Sequence, residues 1–531
     1  MKHIVASLAS FVLIACSPTN SDVKFTPDKG DERQYQILNR TKITVDSGNS
    51  NQTNTITVHQ LQTYKVTQVT PENHFIVDVD YMRLDNDKSQ GFSSTQSADK
   101  NPRMHAIFSK GFEFTADLTK GTVSNFTAIN KEAWQDILKD RGPEVEQEMK
   151  KMFNSSVFLT AIPAKVGAKI SLPSYQGKTD ASLTVLNVSE KYLLAEIVSQ
   201  QPETKNSEQA PVKFYGRILI EREHGWLSQL ALVINAPFER YGYQGIARSS
   251  IIMLPKNRQL GDITKQFDYD RESPAFEYTK QDGPSIEEIN KPLTQEQIFK
   301  SDTGYFRRKD DILDMVYQHN FPYAPEGKFS LTNIVAKNKA GQTIPISLNP
   351  LGGVSYSGDG VTFQSLQQYL LTGWDFPAER LKNVTEFNAK AHYKSGQIVP
   401  FTLQLNPTKA VNFEYKDLKV ELSPVPNQPL TYLVRSMGET NWLTFRIDGA
   451  EGAMMKFSLT DINVPKWIAL GEKDMLSRAS SMQYKTIMQL TFKKRPPSLT
   501  FYINAISDKN DFSKNVRFIP LEQYEKIKNA N

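Results

Sequence analysis

The sequence predicts a mainly β protein: a long-stranded antiparallel first domain with one inserted pair of helices, then one or two antiparallel β-sandwich-like domains. Three observations predict it. Thr, Val, Ile, Phe and Tyr are plentiful, and Asn, Asp and Gly collect between the apolar runs, which is the composition of strands and turns. Long runs in the first half alternate apolar and polar residues with period two. The second half carries short apolar runs separated by turn signals at sandwich spacing.

The chain opens on a short apolar segment. Lys2 gives a positive start, residues 4–15 are mostly apolar, and Ala15 stands just before Cys16, the one cysteine of the chain. That run is too short for a membrane-spanning helix, which needs ~20 apolar residues. An ordinary secretory cut near Ala15 would leave a free thiol at the mature terminus. Leu13-Ile14-Ala15-Cys16 resembles the bacterial lipobox, which implies recognition of Leu13, Ile14 and Ala15 by a signal peptidase, cleavage before Cys16 and acylation of that cysteine. Several acyl chains hold a protein firmly, because each buried methylene contributes ~0.8 kcal/mol. Ser17 rather than aspartate after the cysteine resembles an outer-membrane sorting signal. The expected location is the bacterial cell envelope, on the outer membrane and facing the periplasm.

Composition bounds the rest. A cut before Cys16 removes one lysine from a chain of formal net charge +5, leaving a near-neutral body that argues against nucleic acid as a partner. With Cys16 acylated, no thiol remains for a disulfide or a thiolate metal site. The expected division is a signal peptide at 1–15, a lipidated polar tether at 16–31, a first domain at 32–255 and a charged linker at 256–293. A helical connector at 294–326 and β domains at 327–408 and 409–531 complete it.

Within the first domain, residues 55–70 and 75–81 read as paired strands. Phe75, Val77, Val79 and Tyr81 fall on one face, opposite Ile76, Asp78 and Asp80. Residues 112–115 and 123–126 flank a turn and predict a hairpin; 183–188, 192–198, 212–222 and 227–234 are further strands. Ala133, Trp134, Ile137 and Leu138 predict a short helix. Val145, Met149, Met152 and Phe153 predict a second, amphipathic one. Its apolar stripe faces either the sheet or a lipid-sized groove, in which case Trp134, Val145, Met149, Met152 and Phe153 line that groove.

Beyond the linker, residues 295–319 read as mostly helical, broken near Gly304, with Ile312, Leu313 and Val316 on one side. Hairpins are predicted at 329–348 around Asn338-Lys339-Ala340-Gly341 and at 387–405 around Lys394-Ser395-Gly396-Gln397. Others fall at 411–422, 430–434 and 442–447, and the last at 487–506 around 493–498. Residues 366–371 read as a short helix or turn.

Chemistry is sparse. None of the seven histidines has another at ligand spacing, so no metal or cofactor is expected. Asp85-Asn86-Asp87 has Gln90 and Gln96 where a calcium loop needs glycine and glutamate. Asp78 and Asp80 are an acid/base pair by type alone, and Gly353-Val354-Ser355-Tyr356-Ser357 lacks the last glycine of a nucleophile elbow. Lys493-Lys494-Arg495 reads as an exposed loop.

Several segments in order carry a resemblance over about residues 32–255. Glu32-Arg33-Gln34-Tyr35-Gln36-Ile37, then 59–69 with 75–84, then Gly111-Phe112-Glu113-Phe114 with Lys120-Gly121-Thr122-Val123, then Pro163-Ala164-Lys165-Val166-Gly167-Ala168, together resemble a family of uncharacterised bacterial lipoproteins. Lys169-Ile170 stand where that family has an aromatic. A helix pair inserted in a long-stranded sheet also resembles LolA/LolB-type lipoprotein carriers and implies a half-barrel for the first domain. The expected function is a non-enzymatic lipoprotein, held at the membrane through Cys16, that binds a hydrophobic ligand or an envelope protein. The alternative is a structural, scaffolding multi-β lipoprotein without a small ligand; an envelope hydrolase ranks third.

Overall fold

The computed structural model describes residues 22–530 apart from 47–50, 70–72, 88, 118–121, 143–145, 147–160, 176–178, 200–211, 241–242, 257, 259–273, 280–284, 300, 310–311, 320–326, 347, 358–363, 375–380, 458–461 and 482–483. It is mainly β, and its first sheet curls into a half-barrel. That sheet contains β1 (Glu32–Asp46), β2 (Asn51–Gln68), β3 (Asn73–Asn86), β4 (Ser89–Ser93), β5 (Phe112–Asp117), β6 (Thr122–Ala128), β7 (Lys169–Tyr175), β8 (Thr179–Val188), β9 (Tyr192–Ser199), β10 (Lys213–Glu221), β11 (Leu227–Arg240) and β12 (Tyr243–Pro255). Their order is β6-β5-β3-β2-β1-β12-β11-β10-β9-β8-β7, with β4 paired to β3.

One face of the half-barrel is closed by its own chain. Helices α1 (Pro102–Phe108) and α2 (Lys131–Arg141) cover the β3–β5–β6 end. Asn130 joins them: its Oδ1 accepts from the Ala133 N–H, capping α2, and its Nδ2 donates to the Ala106 carbonyl. Val23, Ile162 and Ala164 cover the β7–β11 end. The sequence missed α1, whose first position is Pro102.

The alternation read along β3 holds for Phe75, Val77 and Val79, all buried. Tyr81 departs from it. Gln62 pairs with Val79 and Leu61 with Tyr81, so Asp80 is the extra residue of a β-bulge. One inserted residue reverses every later side chain. Met82 therefore continues the face of Val79, while Tyr81 turns to the opposite face and packs with Leu61 and Leu371.

The rest of the chain builds two further sheets. The strands are β13 (Phe276–Glu277), β14 (Thr303–Lys309), β15 (Ile312–Gln318), β16 (Lys328–Lys337), β17 (Thr343–Ile344), β18 (Leu348–Ser357), β19 (Gln364–Thr372), β20 (Glu386–Gln404), β21 (Val411–Tyr415), β22 (Leu418–Val425), β23 (Gln428–Gly438), β24 (Trp442–Asp448), β25 (Met454–Phe457), β26 (Tyr484–Thr491) and β27 (Ser498–Pro520). Single-turn helices α3 (Ile286–Ile289) and α4 (Gln295–Ile298) precede β14, α5 (Leu470–Arg478) follows β25, and α6 (Leu521–Ala530) follows β27. A six-stranded sheet runs β13-β25-β26-β23-β22-β21; a nine-stranded one runs β17-β16-β20-β27-β14-β15-β19-β18 with β24 against β27.

Four expectations are corrected. Residues 303–309 and 312–318 are strands, not helix: β15 is covered on both faces, with Leu313, Met315 and Tyr317 on one side and Val316 on the other, all buried. A strand buried on both faces reads as a continuous apolar run, and any such run contains a helical subset. Residues 366–371 lie in β19, between β15 and β18, for the same reason. The expected hairpin at 387–405 is instead one 19-residue strand, Glu386–Gln404, and the turn-like 394–397 segment marks a register shift against β27. Residues 487–492 and 499–506 belong to different sheets, so 493–498 links sheets rather than closing a hairpin. The hairpins β5–β6 and β21–β22 pair as expected, whereas β16 and β17 pair only at Ala336–Ile344 and Lys337–Thr343, the rest of β16 lying against β20.

The register shift in β20 has a packing cause. Phe387, Ala389, Ala391 and Tyr393 lie in one core with β14–β16 and β19, whereas Phe401 and Leu403 lie in a second core against the six-stranded sheet. The strand changes layers at its bulge, as strands do at sandwich corners. β20 and β27 pair across position 408 and feed both cores.

The two parts of the molecule are docked. Leu38, Tyr215, Val233 and Ile252 on the second face of the first sheet pack against Ile468, Met475 and Leu476 of α5 and its approach. Glu472 is the polar anchor there. Its carboxylate accepts from Arg248, from the Ser250 hydroxyl and from the Ala469 N–H at the start of α5. Ion, hydroxyl and helix terminus satisfy one buried charge together.

Candidate binding cleft

Between the β3–β4 end of the first sheet and the β14–β27 side of the nine-stranded sheet lies an open cleft of about 1160 Å³. Its first wall is β4 and the turn after it. A Cβ on Gly91 would meet the Leu84 carbonyl oxygen at 1.7 Å, so only glycine lets β4 fold this closely onto β3. The wall is then pinned by short polar bonds. The Ser94 N–H donates to the Met82 carbonyl at 2.8 Å, Ser93 and Thr95 hydroxyls meet at 2.9 Å, and Gln96 Nε2 donates to the Gly91 carbonyl at 3.2 Å. Arg83 leans out of β3, and its Nε donates to Asp85 at 2.7 Å.

The second wall comes from β14, residues 381–384 and the junction of β27 with α6. Phe306 is buried edge-on against Phe387, ring centroids 4.9 Å apart. Arg307 donates through Nε to Asp314 at 2.8 Å across the β14–β15 pair. Burial raises the Asp314 carboxyl above its ordinary value, and the hydrogen bond and charge of Arg307 oppose that rise. Asp314 thus anchors a guanidinium whose side chain stays half exposed.

The lining carries five cations, Arg83, Lys100, Arg307, Arg308 and Lys382, against two carboxylates, Asp85 and Glu522. The lining joins exposed Lys100, Arg307 and Lys382 with half-buried Leu381 and Leu521 and with buried Phe92, Phe306 and Val384. Cations and apolar groups in one lining can hold a ligand having both characters. These residues escape sequence reading because they run from Arg83 to Glu522 and share no local motif; the pair Arg307-Arg308 is the one local hint.

The residues singled out by sequence fall elsewhere. Trp134 is buried in the core, its ring edge-on to Phe112 and Phe126 at 6.4 and 6.2 Å. Leu13, Ile14, Ala15, Cys16, Val145, Met149, Met152 and Phe153 lie outside the described residues. Asp78 pairs with Lys65 at 2.7 Å, while bulged Asp80 accepts from the Thr63 hydroxyl, so the two aspartates have separate partners. Among the described residues no group of three or more His, Cys, Asp or Glu side chains could hold a metal ion.

No family model and no curated protein matches the chain. Among solved structures, one of lipid–protein interactions in lipovitellin is 8% identical over 51% of this chain and 32% of its own, with a TM-score of 0.30. The chain thus spans about a third of that protein's length. A putative AttH from Nitrosomonas europaea is 10% identical, covering 88% and 98% of the two chains at a TM-score of 0.13. OccK8 (OprE) of Pseudomonas aeruginosa is 8% identical, covering 92% and 100% at 0.11. At these scores the likenesses carry no argument about function.

Proposed function

We propose that this chain is a lipid-anchored protein of the bacterial envelope that acts by binding, with the cleft between its first sheet and its nine-stranded sheet as the seat. The anchor is Cys16 behind Leu13-Ile14-Ala15, and Ser17 favours the outer membrane with the body in the periplasm. The observation that carries the binding reading is the cleft itself: its walls belong to both parts of the chain and one wall is fixed by close backbone approach. Metabolic labelling with a clickable palmitate tests the anchor. Cys16→Ala should lose the label and move to the soluble fraction; a variant that stays labelled would sink it.

A second reading, a scaffolding lipoprotein, is favoured by a different surface. Phe445 and Phe276 are 64% and 45% exposed, and each packs its ring near Phe457, at 5.4 and 6.0 Å. Exposed aromatic clusters of this kind mark contacts with apolar partners. A photocrosslinker at position 445 that captures no protein in intact cells would remove this reading.

A further inference from the structure

We propose that the cleft takes an anionic amphiphile, a molecule with a phosphate or carboxylate group on an apolar body. This names the ligand class of the site above and rests on that binding reading. The charge is local: five cations meet Asp85 and Glu522 in the lining and Asp314 behind Arg307, a surplus of two, while the whole chain carries only +5 over 531 residues. Like charges gathered in one concavity repel each other, and their summed field attracts an anion into it. Lys100 and Lys382 make no ion pair among the described residues and are exposed. Arg307 is fixed from behind through Nε by Asp314, and its Nη groups have no partner among the described residues. A guanidinium held this way is pre-organised to grip a two-oxygen anion.

The apolar half of the ligand class follows from the rest of the lining. Leu381 and Leu521 stay half-exposed in it, and Phe92, Phe306 and Val384 are buried in the same lining. A bare phosphate would leave those leucines wet. A molecule with an acyl or similar body would cover them while its head meets the cations. The volume of about 1160 Å³ is ample for a headgroup and the first part of such a body.

The test uses the full-length protein in non-ionic detergent and isothermal titration calorimetry with three probes: dihexanoyl phosphatidylglycerol, dihexanoyl phosphatidylcholine and inorganic pyrophosphate. The anionic lipid should bind at least roughly tenfold more tightly than the zwitterionic one. The double variant Lys100→Glu/Lys382→Glu should weaken its binding by roughly tenfold for each charge-assisted hydrogen bond removed. Both lysines are exposed, so the melting temperature should be unchanged, and Lys382→Ala should give an intermediate loss. Equal binding of the two lipids, or undiminished binding by the double variant, would overturn the proposal. Pyrophosphate binding as tightly as the anionic lipid would keep the phosphate recognition and overturn the amphiphile. Native mass spectrometry separates this from the broader reading. An adduct that survives charge reversal but disappears on Leu381→Trp would overturn the anion assignment and leave the cleft a binding site; no adduct and no probe binding would overturn both.

Discussion

Asp80 owes its position to a single inserted residue. The bulge between the Leu61–Tyr81 and Gln62–Val79 pairs leaves its carboxyl half-buried, accepting from Thr63, with Asp78, Lys65 and Lys256 around it. Burial raises its pKa above the ordinary 3.8; the charge of Asp78 adds to that rise, and Thr63, Lys256 and Lys65 oppose it. The folded state therefore binds the proton more readily than the unfolded one. Stability falls as pH rises from the unfolded value through the folded value, so the buried carboxylate costs stability once both states have lost the proton. Asp80→Asn, which keeps an acceptor for Thr63, should raise the melting temperature at pH 7 and lose its advantage below the ordinary carboxyl pKa. Thermal melts across pH check this; an unchanged difference at every pH would contradict it. The alternation of β3 was legible in sequence up to Val79. The reversal at Tyr81 was not, because a bulge depends on the partner strand and leaves no mark in the period of its own.

Among the elements, β14 shows what close strand approach demands. It pairs in parallel with β27 through Thr303–Arg517 to Phe306–Pro520, and in antiparallel with β15. A Cβ on Gly304 would stand 2.7 Å from both the Phe518 ring and the Val316 carbonyl oxygen. Phe518 is fully buried and cannot swing away. Gly304→Ala should therefore destabilise the protein by ~1–3 kcal/mol through overpacking, read as a lower denaturation midpoint. A neutral result would mean that the sheet relaxes there. Gly304 looked like a helix break in sequence, where a glycine required by sheet packing and one ending a helix are identical. In the same way Lys394-Ser395-Gly396-Gln397 looked like a turn, since a bulge and a turn draw on the same residue types.

For the whole molecule, the joint between the two parts is the decisive feature. Trp374, just past β19, packs near Phe92 and His105 at 5.9 and 5.0 Å and donates from Nε1 to the Val79 carbonyl. Leu371 joins Leu61 and Tyr81, and α5 seats Glu472 against Arg248. Phe92 belongs to the cleft as well as to this joint, so cleft shape and docking are coupled. Trp374→Ala should cost ~3–5 kcal/mol by the loss of a large aromatic side chain. It should also split calorimetric melting into two transitions, as the parts cease to unfold together. One unbroken transition at an unchanged temperature would show that the joint rests on α5 alone.

Period-two alternation and turn residues determined the mainly β class, the long strands of the first sheet and the short hairpins, and the helical spacing of Ala133, Trp134, Ile137 and Leu138 determined α2; all are properties of neighbours in the chain. The lipobox-like start is local for the same reason. Tertiary structure alone decided which long strands pair, that β20 and β27 serve two cores, and that Arg83, Lys100, Arg307, Arg308 and Lys382 meet in one cleft. Those outcomes depend on contacts between residues hundreds of positions apart, whose energies come from burial and charge in three dimensions and leave no periodic trace along the chain.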